Sequence, residues 1–134
     1  MTRHVGIDLV SPADVRAAID AHGERYLSRV FTAAERADCT RPTGLDAALL
    51  AARVAAKEAT FKALRIDDRA IAWTNVEVRR SGHDGPELWL SGPAATLASE
   101  HGVSELSLAF TCAHVGAAAV VVTTEKTDRP STGV

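Results

Sequence analysis

The sequence predicts an α+β domain in which a mainly antiparallel sheet packs on one long helix. Three observations predict it. A β-branched run opens the chain at residues 5–10, and an Ala-rich stretch with high helix propensity fills residues 46–64. After residue 70 the pattern changes to short β-type runs bounded by turn residues. At 134 residues the chain has room for one core and not for a second. A hydrophobic content of 46% and a charged content of 24% are those of an ordinary globular protein.

Taken in order, residues 5–10 form a first strand. Ser11-Pro12-Ala13-Asp14 starts a helix, with a Ser cap, Pro in the first turn and an acid three residues after the cap; it ends near Gly23. Thr32-Ala33-Ala34-Glu35 is a second capping box and opens a short helix to about Cys39. Residues 41–44 form a loop before the long helix. Two strands at 73–80 and 87–90 flank the turn segment 81–86 as a β-hairpin. Residues 93–101 form another helix with Gly102 at its end, and 106–112 and 118–123 are the last strands. The domain is thus expected over 1–123, followed by a polar, disordered tail at 124–134 that carries Pro130 and Gly133.

A net charge of -2 gives no bulk argument for binding nucleic acid or membrane, and 4% aromatics leave little for a base-stacking surface. The charge is uneven, because Arg16, Arg25, Arg29, Arg36 and Arg41 crowd the first third. Cys39 and Cys112 form neither a metal-type pair nor a disulfide framework. The apolar run 117–122 is too short to cross a bilayer, and no signal-type segment opens the chain, so a cytoplasmic protein is expected.

Two carboxylates stand where apolar side chains are expected. Asp8 interrupts the apolar first strand. Glu58 follows Val54 by four residues and precedes Phe61 by three, which puts it on their helix face. A buried carboxylate must be protonated, paired or bound to a metal. Two in one domain point to a hard cation such as magnesium, which favours carboxylate oxygen. On the same helix, Glu58 and Lys62 are one turn apart, as are Arg53 and Lys57. Arg53 and Lys57 fit ordinary surface ion pairing, whereas Glu58 shares the apolar stripe.

Gly6-Ile7-Asp8, the segment from Arg29 through Glu35, the run Arg53-Val54-Ala55-Ala56-Lys57-Glu58-Ala59 with Lys62-Ala63-Leu64, the segment from Trp73 to Val78, and Gly85-Pro86 occur in order. Together they resemble the holo-[acyl-carrier-protein] synthase family of small 4'-phosphopantetheinyl transferases, over residues 5–123. The resemblance implies that family's fold and a homotrimer. It implies magnesium-dependent transfer of 4'-phosphopantetheine from coenzyme A to a serine of an acidic acyl carrier protein, releasing adenosine 3',5'-bisphosphate. Carried over by position, Asp8 and Glu58 hold magnesium against the pyrophosphate. Glu58 also helps deprotonate the serine, directly or through a metal-bound water, and Lys62 balances phosphate charge. Arg53, Gly85 and Pro86 contact the nucleotide end.

The chemistry is coherent on its own terms. Displacement at phosphorus concentrates negative charge that a metal and a lysine stabilise, and a serine hydroxyl needs a base. Arg16, Arg25 and Arg29 offer an acidic carrier a complementary surface, with Arg36 a weaker candidate.

The chain departs from the family near its end, where a Ser-Leu-Ser-His segment is common. One register sets Ser107-Leu108-Ala109-Phe110 on that segment and loses the histidine. Another sets Thr111-Cys112-Ala113-His114 on it, which makes His114 a phosphate contact or proton carrier. The first motivates an alternative function: a catalytically impaired homologue that keeps coenzyme A or carrier binding as a scaffolding subunit. A third possibility, coenzyme A bound for acyl transfer, has no activated nucleophile behind it. Cys112 near His114 is expected to be a small core residue, since no acid orients a dyad. Trp73 and Trp89 are expected to pack in the hairpin and core instead of stacking on adenine.

Overall fold

The computed structural model describes residues 3–66, 70–81 and 85–126. Strand β1 (Arg3–Val10) pairs antiparallel with β7 (Gly116–Glu125), which pairs antiparallel with β6 (Val103–Ala113), giving the order β1-β7-β6. Strands β4 (Val76–Ser81) and β5 (Gly85–Leu90) form a separate hairpin lying beside β6 without joining its ladder. Two-residue strands β2 (Thr40–Arg41) and β3 (Gly44–Leu45) pair where a plain loop was expected. Every ladder is antiparallel, as expected, but the strands divide into separate sheets.

Helix α4 (Ala47–Ala63) packs across β1, β7 and β6. Asp46 starts it, accepting hydrogen bonds from the backbone of Ala48 at 2.9 Å and Leu49 at 3.2 Å. The main core forms where Leu50, Ala51, Ala52 and Val54 meet Val15, Leu27, Val30 and Phe31. A second cluster joins Ala55, Ala56, Ala59 and Ala63 to Val78, Ala119 and Val121. Alanine at these positions lets helix and sheet approach closely.

Helix α1 (Pro12–His22) starts and stops where the sequence indicates, although the Ser11 side chain makes no capping bond. A second helix, α2 (Glu24–Val30), follows Gly23 directly and had no sequence signal of its own. Its start lacks a Ser, Thr, Asp or Asn cap; Gly23, at φ 54°, turns the chain instead. Helix α3 (Ala33–Asp38) has the expected capping box: Thr32 Oγ1 accepts from the Glu35 backbone and Glu35 Oε1 accepts from the Thr32 backbone. Helix α5 (Gly92–Glu100) lies where predicted. Strand β7 runs to Glu125, two residues past the expected domain edge, because β6 and β1 both continue to pair with it. The remainder of the expected tail, from residue 127, and the turn at 82–84 lie outside the described residues.

Candidate active site

The site grows from the close approach of β1 and α4. A Cβ placed on Gly6 would come within 1.8 Å of the Ala59 carbonyl oxygen, so only glycine fits there. Gly6 and Asp8 share one face of β1 by strand alternation, so this contact carries Asp8 to the middle of α4. Lys62 Nζ donates to Asp8 Oδ1 at 2.9 Å and to the Ile7 carbonyl at 3.0 Å. The Lys62 side chain is 56% exposed and that of Asp8 11%, so the pair faces open space from one side only.

Glu58 sits half-buried beside them. Its carboxyl is pushed up to about 7, first by burial, then by hydrogen bonding to and repulsion from Asp8, with Lys62 pulling the other way. Asp8 Oδ2 is buried and accepts no hydrogen bond within the described residues. Lys62 is thus paired with Asp8 and only offsets charge at Glu58, and with both carboxyls ionised Asp8 Oδ2 is left without a partner among the described residues. That is a poor arrangement for a static structure and a suitable one for binding a cation. Among the described residues no cluster of three or more His, Cys, Asp and Glu is placed to hold a metal. The donor set is the two carboxylates, consistent with an ion whose other ligands come from substrate.

Arg53 and Lys57 correct the surface-pair expectation, because both are fully buried. Lys57 Nζ donates to Glu35 Oε1 at 2.8 Å, to the Trp73 carbonyl at 3.1 Å and to the Val76 carbonyl. Glu35, also fully buried, accepts the Val78 backbone N–H at 3.0 Å on its other oxygen. Burial pushes the Lys57 ammonium below its usual range, with Glu35 opposing that shift. The pair ties α3 and α4 to the start of β4, and periodicity alone had not singled it out. The available signal was that Lys57 lies three residues after Val54 and four before Phe61, on the same stripe as Glu58.

Arg53 packs its guanidinium over the Phe110 ring at 5.4 Å and donates to the Leu49 carbonyl at 3.2 Å, while its Nε finds no partner among the described residues. Phe110 and Ala109 line a cavity of about 320 Å³ with Arg80, Gly85 and Pro86. Arg53 thus stands behind the wall of the Gly85-Pro86 cavity. The β6–β7 register pairs Ala109 with Val120 and Phe110 with Ala119, which places Ala109-Phe110 beside Gly85-Pro86. His114 is exposed in the turn between those strands and is not among the residues lining that cavity.

Arg25 and Arg29 are exposed and line a pocket of about 260 Å³ with His22 and Tyr26. Arg16 is exposed with Nη2 3.4 Å from the Leu45 carbonyl. Arg36 is held by Glu24, Nη2 to Oε2 at 2.8 Å, which removes it from the free basic face. Both cysteines are free; Cys39 is buried, and burial pushes its thiol up to about 11. Trp73 packs edge-on to Phe61 at 5.3 Å, as expected. Trp89 packs within the hairpin over Arg79 at 4.0 Å but stays 49% exposed.

The model of the 4'-phosphopantetheinyl transferase superfamily matches residues 4–120. The chain belongs to that superfamily. Among its relatives, the holo-[acyl-carrier-protein] synthase of Rhodopirellula baltica is 40% identical over 119 residues, covering 88% of this chain and 94% of the relative. The Desulforudis audaxviator enzyme of the same name is 40% identical over 116 residues, covering 87% and 86%. The crystal structure of the Neisseria meningitidis synthase superposes with TM-score 0.78 at 27% identity, covering 91% of this chain and 98% of that one. A Chronobacterium ammoniagenes synthase in complex with coenzyme A gives TM-score 0.74 at 25% identity, covering 95% and 100%. This transferase thus carries the fold that the motifs implied, and its Asp8, Glu58 and Lys62 meet at one place. No helix among the described residues is long and apolar enough to cross a membrane.

Proposed function

We propose that this transferase moves 4'-phosphopantetheine from coenzyme A to a serine of an acidic acyl carrier protein, with magnesium held by Asp8 and Glu58. The observation that carries the reading is the incomplete pairing at β1 and α4: a buried Asp8 oxygen with no partner among the described residues, beside a carboxyl raised to about 7. These residues fit a divalent cation, which would supply charge neutralisation at the pyrophosphate. The chain's own groups do the rest. Glu58 takes the serine proton as the serine oxygen attacks phosphorus. The new O–P bond forms as the pyrophosphate bridge breaks, and adenosine 3',5'-bisphosphate leaves. The Lys62 ammonium, already ordered by Asp8 and the Ile7 carbonyl, stabilises charge on the phosphates without rearranging.

The Gly85-Pro86 cavity, with Arg53 behind Phe110, is the proposed seat of the nucleotide end. The exposed Arg16, Arg25 and Arg29 supply the carrier surface. Val5, Ile7 and Leu9 are 62%, 60% and 78% exposed on the face of β1 turned away from α4. Such an apolar stripe on an edge strand supports burial against other copies, consistent with a homotrimer. A cytoplasmic location follows from the same reading.

Phe110 beside Gly85-Pro86 favours one competing reading, a catalytically impaired homologue that binds coenzyme A or the carrier as a scaffold. Intact-mass spectrometry separates the two. Apo acyl carrier protein incubated with the protein, coenzyme A and magnesium should gain one phosphopantetheine, and a chelator should stop the gain. Binding of coenzyme A or carrier without any mass gain establishes the impaired reading.

A further inference from the structure

Tyr26, on α2, stands between the two surfaces that the proposed reaction must connect. On one side it lines the pocket of His22, Arg25 and Arg29. On the other it lines a cavity of about 290 Å³ together with Glu58, Ser11, Asp14 and Val54. Its ring is half-buried against the main core and held edge-on to Phe31, with centroids 5.9 Å apart at 78°. A tyrosine so packed has little rotamer freedom, and its hydroxyl occupies a defined place. Its phenol is a hydrogen-bond donor on the wall of the cavity that Glu58 also lines.

A carrier protein seated on Arg25 and Arg29 has to send its serine past Tyr26 to reach Glu58. We propose that Tyr26 is an acceptor-binding residue whose phenol donates a hydrogen bond to the acceptor hydroxyl, leaving that hydroxyl's own proton directed at Glu58. The acceptor oxygen is then fixed from two sides, with a lone pair left for phosphorus. Positioning of this kind is a large part of the rate in reactions with little covalent help from the protein. A phenylalanine fills the same space and keeps the Phe31 contact but cannot make the bond. The inference rests on the carrier-protein reading above.

The test is Tyr26→Phe, measured by binding as well as by turnover. Wild-type protein should bind an apo carrier about five- to tenfold more tightly than the same carrier with its acceptor serine replaced by alanine. Tyr26→Phe should abolish that ratio and lower kcat about tenfold, with KM for coenzyme A unchanged. A packing role alone would leave the serine-to-alanine ratio intact. An unchanged ratio and unchanged kcat in Tyr26→Phe, with an active wild type, overturn the role of Tyr26 alone. A wild type that neither binds nor modifies any apo carrier overturns the carrier-protein reading and this inference together.

Discussion

Lys57 and Lys62 stand little more than one turn apart on α4, and each meets a carboxylate, yet one pair is sealed and the other open. Lys57 and Glu35 are wholly buried and saturated: the ammonium donates to a carboxylate and two carbonyls, and Glu35 accepts from Lys57 and from the Thr32 and Val78 backbones. Lys62 is more than half exposed, Asp8 keeps one buried oxygen without a partner among the described residues, and the neighbouring Glu58 is raised to about 7. Burial alone marks neither pair as functional. Completeness of hydrogen bonding does, because a saturated buried pair holds a fold together while an unsaturated one keeps capacity for a ligand.

The largest effects should separate the pairs by what they damage. Asp8→Ala or Glu58→Ala should lower transfer by about 10³-fold in the mass assay. Either should leave the melting temperature within about 4 °C of wild type, since the lost contacts are partly solvated. Retained activity in both would remove the metal site. Lys57→Met should do the reverse, costing about 3–5 kcal/mol in urea unfolding by leaving Glu35 charged and buried. Glu35→Gln in the same chain should recover part of that loss. If Lys57→Met is as stable as wild type, the sealed pair is not the structural member.

A smaller effect concerns the basic face. Charge reversal at Arg16, Arg25 and Arg29 should slow carrier capture about tenfold at low salt and flatten its salt dependence, with coenzyme A affinity unchanged. Reversal at Arg36 should break its contact with Glu24 and change capture less. Equal effects on capture would deny that the exposed arginines form a distinct surface.

The smallest effect is on stability against pH in chelated protein. Between about 4.5 and about 7 the folded chain keeps a proton on Glu58 that the unfolded chain has released, so stability should fall as pH rises through that window. Glu58→Gln should remove that fall, which urea titrations at several pH values would show. Magnesium should raise the melting temperature of wild type above pH 7 and have no such effect on Glu58→Gln. A pH profile identical in the two proteins would mean that burial and Asp8 do not raise the Glu58 carboxyl in the folded chain.

The elements were largely legible because their signals are local. The Thr32–Glu35 capping box, the alanine-rich helix and the strand runs each encode their own conformation. The missed helix α2 had no cap to announce it, and its ordering comes from burying Leu27 and Val30. Asp8, Glu58 and Lys62 were legible as a set through spacing and resemblance, and the structure brings them together. Arg53 and Lys57 fit surface ion pairs by spacing yet are buried, because helical spacing ranks side chains by angle and says nothing of what covers them.

By itself, then, the sequence determined the order and kind of its elements, the superfamily, and the three charged residues that gather where β1 meets α4. Those depend on local propensity, periodicity and motif spacing. Only the tertiary structure decided which of two adjacent charged residues on one stripe is sealed. Lys57 and Glu58 are nearly equivalent by spacing, yet α3 and β4 close over the first. The second faces β1 where Gly6 lets the strand come close, and a cavity opens there beside Tyr26. The tertiary structure also decided the β6–β7 register, which puts Phe110 against Arg53 and leaves His114 at the turn. Each of these rests on contacts between segments distant along the chain, where burial and hydrogen-bond partners come from elements that a single helix or strand cannot specify.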